Sequence, residues 1–248
     1  MTYKLIIQYE GTRYKGWQRL KTTDQTIQQK IENVLSRLLG EPIEIDGSGR
    51  TDAGVHALGQ VASFKTTQTI TDFNEFRFQM NQYLPDDIII LEIQAENDRF
   101  HARLNAVSKT YVYQIWLADH PPLIERNWVL NLGAKRHQLN FEKMKLASEH
   151  LIGKKDFKGF STDKTKKGTI RTIEAITWEI HGDILQIKFT GDGFLYNMIR
   201  ILVGSLLEIG FNERQIESLN QIIASKDRSL AGETAPAQGL YLESVRYE

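Results

Sequence analysis

Apolar and polar positions partly alternate along residues 2–9, TYKLIIQY, and this period of two, rich in Tyr and Ile, predicts a first strand. The period then lengthens. Between Asp24 and Leu39, Ile27, Ile31, Val34, Leu35, Leu38 and Leu39 recur at helical spacing, with Thr23 or Asp24 to cap the start and Gly40 to end it. Short strands are expected near 43–46 and 60–66. Thr71 and Asp72 cap a second helix reaching about Tyr83; Pro85 breaks it, and Ile88–Ile93 reads as a buried strand. Further on, Tyr111, Tyr113, Ile115 and Leu117 alternate with Thr110, Val112, Gln114 and Trp116, a strand with one aromatic-rich face. A helix is predicted from about Asn140 to Ile152, closed by Gly153, then strands over 169–180 and 184–190 joined at His181-Gly182-Asp183. Residues 191–210 open on a glycine turn and continue as a nearly all-apolar helix whose length and polar ends suit a protein core, not a bilayer. Asn212 is expected to cap a last helix to Ser225, and Gly239–Tyr247 to form the final strand.

Strands and helices intermix in both halves, which predicts an α+β, mixed α/β protein with mainly antiparallel or mixed sheets. The pattern restarts near 104–107, so two domains are expected, 1–105 and 106–248. At 248 residues the chain is long enough to bury a substantial core, and 41% hydrophobic with 25% charged residues is ordinary for a globular protein. The absence of cysteine excludes disulfides, thiolate chemistry and Cys-ligated zinc. The N-terminus runs straight into strand-like sequence without the regions of a signal peptide, so no membrane association and a cytoplasmic location are expected.

Charge changes the picture through its distribution. With 31 basic and 31 acidic residues the net charge is zero, which argues against a uniformly basic nucleic-acid coat. Yet residues 11–21 carry Arg13, Lys15, Arg19 and Lys21, and residues 99–109 carry Arg99, Arg103 and Lys109, neither with an acid. The stretch 154–171 holds Lys154, Lys155, Lys158, Lys164, Lys166, Lys167 and Arg171 against Asp156 and Asp163 alone. Three such runs predict a localised phosphate-binding surface. Tyr14 and Trp17, set among the first cations, suit stacking on unpaired bases.

Residues 47–64, GSGRTDAGVHALGQVASF, carry the candidate chemistry. Gly47, Ser48, Gly49, Ala53 and Gly54 surround Arg50 and Asp52, which on an extended segment share a face. A neighbouring guanidinium favours an ionised, directed carboxylate. The plain alternative is a loop ion pair among turn glycines. Histidines 56, 101, 120, 137, 150 and 181 show no metal-ligand spacing, and HExxH, Walker and strand-borne GxGxxG motifs are absent, so neither metal nor cofactor is expected. Arg200, set among Met198, Ile199, Ile201 and Leu202, either reaches solvent or pairs with a buried acid, for which Asp52 is the candidate.

The run Gly49-Arg50-Thr51-Asp52-Ala53-Gly54-Val55-His56-Ala57 resembles the signature loop of the bacterial tRNA pseudouridine synthase A family. YEGTRYKGWQ (9–18), LPDDI (84–88), FHAR (100–103) followed by Lys109-Thr110-Tyr111, GFLYNMIRILVG (193–204) and APAQGLYL (235–242) resemble further blocks of that family, in its order. Glu10 and Lys155 depart from its commonest pattern, where Asp and His stand. The resemblance implies two similar α/β domains flanking a basic cleft, a homodimer, and a tRNA substrate modified at uridines 38, 39 and 40 of the anticodon arm, the base being extruded first. It implies Asp52 as the catalytic residue, Tyr111 against the target base, Leu240 packed on the uracil, and Arg200 paired with Asp52. Arg50, His101, Arg103, Lys164, Lys166 and Lys167 are the expected tRNA contacts. Asp52 would attack the substrate covalently or take a ribose proton; Tyr111 is a candidate base for the C5 proton. Two competitors stand beside this: a non-catalytic tRNA-binding chaperone module, and a glycosidase or nucleosidase, which would need a second facing acid.

Overall fold

The computed structural model describes residues 1–163 and 168–248. In chain order its elements are β1 (Thr2–Tyr9), α1 (Ile27–Leu39), β2 (Ile45–Gly47), β3 (His56–Lys65), α2 (Phe73–Tyr83), β4 (Ile88–Glu96) and β5 (Ala106–Trp116). They continue with β6 (Leu130–Asn131), α3 (Phe141–Glu149), β7 (Gly153–Asp156), β8 (Ile170–His181), β9 (Ile184–Gly191), α4 (Met198–Gly210), α5 (Ser218–Ser225) and β10 (Leu240–Tyr247). The chain divides into two compact units, Met1–Val107 with Tyr241–Glu248, and Ser108–Leu240. A boundary at 105/106 assigns the whole final strand to the second domain. Instead Tyr241 and Leu242 pair parallel with His56 and Ala57, returning the C-terminus to the first unit.

In the first unit the sheet runs β4-β1-β3-β10, with β2 added to β3. β1 pairs antiparallel with both β3 and β4. The alternation in β1 buries Tyr3, Leu5, Ile7 and Tyr9 in the core. α1 buries Ile27, Ile31, Val34 and Leu35, as its period requires, and ends on Gly40 in the left-handed region. Its N-cap is Thr26, whose hydroxyl accepts from Gln29 N–H; Thr23 and Asp24 lie too early. Asp72 caps α2 as expected, accepting from Asn74 and Glu75 N–H groups. β4 is an outer strand rather than a fully buried one: Ile88, Ile90 and Ile93 face the core while Ile89 and Leu91 are exposed. The Asn81 side chain bonds both N–H and C=O of Ile90 (2.8 and 3.0 Å), satisfying part of that edge from α2.

A buried polar network joins α1 to β2. Glu32, 2% exposed, accepts from Gln28 Nε2 (2.9 Å), Ile45 N–H (3.0 Å) and the Arg19 guanidinium (2.9 Å). Gln28 Nε2 also donates to Ile45 O (3.1 Å), so the start of β2 hangs on these two side chains. Glu32→Gln weakens the charge-assisted bonds while keeping the shape. A loss of about 1–3 kcal/mol in urea unfolding is expected; no loss would show that the carboxylate is not needed.

The second unit has a sheet ordered β5-β9-β8-β7, antiparallel throughout, with β6 alongside β5 in parallel. Gly182, at φ 57°, makes the expected β8–β9 turn. α4 is the core helix of this unit, burying Ile201, Leu202, Val203, Leu206 and Ile209. Asn140 caps α3 by accepting from Lys143 N–H. Asn212 does not cap α5, which begins only at Ser218. At φ 62° it instead closes the C-terminus of α4, its N–H donating to Ile209 O (3.0 Å) and the next N–H, of Glu213, to Glu208 O (2.9 Å), while its side chain accepts from Lys143 Nζ (2.9 Å). Among the described residues no helix is long and apolar enough to cross a membrane.

Candidate active site

β2 delivers the chain at Gly47 into a loop that re-enters the sheet at His56, four residues before the expected strand start. Both ends of this loop are anchored. Ser48 is fully buried; its N–H donates to Val61 O (2.7 Å) and its hydroxyl to Gln60 Oε1 (2.7 Å), while Gln60 Nε2 donates to Gly49 O (3.0 Å). Farther along, Thr51 turns inward. Its hydroxyl shares a 2.7 Å hydrogen bond with the Tyr9 phenol, and its carbonyl accepts from Trp17 N–H (3.0 Å). Burial pushes the Tyr9 phenol above the ordinary tyrosine range, so it serves as a neutral hydroxyl at physiological pH.

Val55 N–H donates to Asp52 O (3.1 Å), closing a turn over Ala53 and Gly54. The main chain is thus held on both sides of Asp52, whose side chain is half-buried. Arg50 is exposed, and Thr51 between it and Asp52 is buried. Gly11 N–H donates to His56 Nδ1 (3.1 Å), so that nitrogen carries a lone pair and the ring proton sits on Nε2. The His56 ring stacks on Tyr241 at 4.8 Å. The segment before α1 presses against this loop because it has no side chain at two points. A Cβ on Gly11 would overlap the Val55 carbonyl, and one on Gly16, at φ 95°, would lie 2.7 Å from Thr51 O. Sequence reasoning missed Tyr9 and Thr51 as supports; their only signal is an inward strand position and a hydroxyl inside the glycine-rich run.

The remaining predicted residues of the first unit lie after β4. His101 Nδ1 accepts from Arg103 N–H (3.1 Å) and its Nε2 lies 3.6 Å from Asp46 Oδ2; Arg103 is exposed. Tyr14 and Trp17 do not stack on a surface. Both are core residues, 4% and 2% exposed, the Tyr14 hydroxyl donating to Asp87 and the Trp17 ring packing 6.1 Å from Tyr9. The cations beside them are also less available than an acid-free run implies. Arg13 pairs with Asp87 (2.5 Å), and Arg19 with Glu32 and Glu44 (2.9 and 2.8 Å), acids supplied by distant segments.

In the second unit, Tyr111 on β5 is buried and meets Phe194 edge-on, ring centroids 5.4 Å apart. Leu240 is buried at the start of β10. Arg200, on the first turn of α4, is half-buried and does not simply reach solvent. Its Nε donates to Ala235 O (2.7 Å), one Nη to Asn197 Oδ1 (3.0 Å), and its own carbonyl accepts from Ala235 N–H (3.1 Å). Lys164, Lys166 and Lys167 lie outside the described residues. Of the rest of that basic run, Lys155 donates to His150 O, and Asp156 pairs with Lys226 (2.8 Å). Among the described residues no group of three or more His, Asp or Glu side chains could hold a metal ion.

A family model described as tRNA pseudouridine synthase matches residues 5–105 and 147–248. A tRNA pseudouridine synthase A from Bacillus sp. (strain KSM-64) is 50% identical over 246 residues, covering 99% of both chains. A tRNA pseudouridine synthase A 2 from Bacillus cereus is 44% identical over 99% of both, and a tRNA pseudouridine synthase A from Acetivibrio thermocellus 43% over 98% of both. Among solved structures, a chain of a Cbf5–Nop10–Gar1 complex covers 83% of this chain and 45% of its own length, at 12% identity and a TM-score of 0.39. These matches along the chain are those of an RNA-modifying isomerase. The chain belongs to the tRNA pseudouridine synthase family.

Proposed function

We propose that this protein isomerises uridine to pseudouridine at positions 38, 39 and 40 of the tRNA anticodon arm, without a cofactor and with Asp52 as the reacting carboxylate. The observation that carries the reading is the loop at 48–56, which holds the main chain around Asp52 in a chain matched along its length by relatives named tRNA pseudouridine synthase A. The reaction breaks the N1–C1′ bond and forms a C5–C1′ bond; the C5 proton leaves to a base and N1 gains one. No electron acceptor or energy donor enters that balance. Extruding the uridine costs a few kcal/mol, recovered by stacking and edge contacts. Tyr111 and Leu240 supply the apolar slot for the uracil, and Tyr111 is the candidate base for the C5 proton. Arg200 is the guanidinium that keeps the reacting carboxylate anionic. Asp52 reacts as a nucleophile toward the substrate or as a base toward the ribose.

Arg50, His101, Arg103, Lys164, Lys166 and Lys167 hold the tRNA backbone. The protein acts as a homodimer in the cytoplasm. Arg50 and Arg103 are exposed, as phosphate contacts must be. Arg50→Gln and Arg103→Gln should each weaken binding to all tRNA sequences alike and reduce the slope of log K against log salt by about one. An unchanged slope removes that residue from the backbone contacts.

Incubation with unmodified tRNA, followed by chemical mapping of pseudouridine, tests the reading. Pseudouridine at 38, 39 and 40 is expected. Product at other uridines overturns the site assignment, free uracil favours a nucleosidase, and tRNA refolding without product favours a chaperone.

A further inference from the structure

Asn197 breaks two local rules at once. It occupies the N-cap of α4, where an Asn side chain ordinarily accepts from the N–H groups of the first turn, yet its side chain makes no such bond. Its backbone also lies in the left-handed region, φ 59° and ψ 5°, which Asn tolerates better than most residues without being favoured there. The side chain is spent elsewhere. Its carbonyl oxygen accepts from an Arg200 Nη (3.0 Å), and its amide donates to Thr162 Oγ1 (2.9 Å). The guanidinium can only donate, so the amide carbonyl must face Arg200, and the NH2 end is left to donate to the Thr162 hydroxyl, which steadies the side chain from the other side. With Ala235 O on Nε, the guanidinium is gripped by two acceptors. Local rules broken together at one residue are expected where function sets the geometry.

We propose that Asn197 is a positioning residue for Arg200: its side-chain carbonyl, steadied by the amide bond to Thr162, fixes the direction of the guanidinium. This rests on the role given to Arg200 above. It adds a dependence of turnover on residue 162, which lies next to the lysine-bearing stretch.

Steady-state kinetics on full-length tRNA test it, with melting temperature measured alongside. Asn197→Gly keeps the left-handed backbone and removes the carbonyl; kcat should fall about tenfold or more with KM within twofold. Asn197→Asp keeps an acceptor facing Arg200 and should recover most of kcat, and Thr162→Val should give a smaller fall without altering the helix end. Arg200→Leu should lower kcat further, and adding Asn197→Gly to it should cost nothing more. A full additive loss in the double variant overturns the proposal, as does wild-type kcat for both Asn197→Gly and Thr162→Val. If Arg200→Leu alone turns over normally, the catalytic role of Arg200 falls, and the positioning role with it. If Arg200→Leu is impaired while Asn197→Gly is not, only the positioning role falls.

Discussion

Asp52→Asn should abolish pseudouridine formation, lowering the rate by ~10⁴-fold, about what removing a single member of a reacting constellation costs. The binding of tRNA should stay within a few-fold, because register on a folded RNA is set by contacts to its backbone and not by the reacting carboxylate. The substitution is nearly isosteric. It exchanges an anionic oxygen, able to attack carbon or take a proton, for an amide that can do neither. The loop is expected to survive, since its supports include the Ser48 and Thr51 bonds, the Asp52–Val55 turn and the His56–Gly11 bond. All of these use main chain or other side chains. Tritium released from tRNA labelled at uracil C5 reports the proton lost during isomerisation, and a filter-binding titration reports affinity. A variant that turns over within tenfold of the parent removes Asp52 from the chemistry. A variant that no longer folds, seen as a lost thermal transition, makes Asp52 structural.

Much of this was legible in the sequence where one short window holds all the needed information. The apolar stripe of α1, the Gly40 stop, the Asp72 cap and the turn at Gly182 each follow from spacing and local chemistry. The loop around Asp52 was legible too, because glycines, an acid and an arginine rarely crowd together without a reason. What escaped is non-local. The last strand joins the first unit through a parallel pair with residues far away in the chain, for which periodicity holds no signal. Asn212 has the chemistry of an N-cap, but its backbone closes the end of α4 and a lysine on α3 holds its side chain. Arg13 and Arg19 form an acid-free run in sequence and meet Asp87, Glu32 and Glu44 in space. Glu32 itself reads as part of a solvated helix face. Its position four residues after Gln28, on the border of the apolar stripe, was the one available hint that both point inward.

Trp17 shows why composition near a cation run is weak evidence for base stacking, and Trp17→Ala gives the second large effect. The indole is 2% exposed and packs beside Tyr9 and directly over Gly47, where an added Cβ would lie 2.6 Å from the ring. Its main chain ties two further segments together: its N–H donates to Thr51 O in the aspartate loop (3.0 Å), and its C=O accepts from Gln28 N–H at the start of α1 (3.0 Å). Truncation leaves a cavity the size of an indole between β1, β2 and α1, for which about 3–5 kcal/mol is expected. In a chain of this length that lowers the melting temperature by roughly 10 °C. A surface ring that stacked on a base would behave differently, weakening RNA binding by about 1–3 kcal/mol with stability unmoved. Calorimetry and a binding titration below the transition therefore separate the two roles. We expect the melting temperature to drop and the affinity of the folded protein to stay within about threefold, since backbone contacts set it. Turnover should fall as well, because the cavity loosens the strand end and the Thr51 carbonyl that together hold the loop around Asp52. An unmoved melting temperature with weakened tRNA binding would instead put the indole on the RNA.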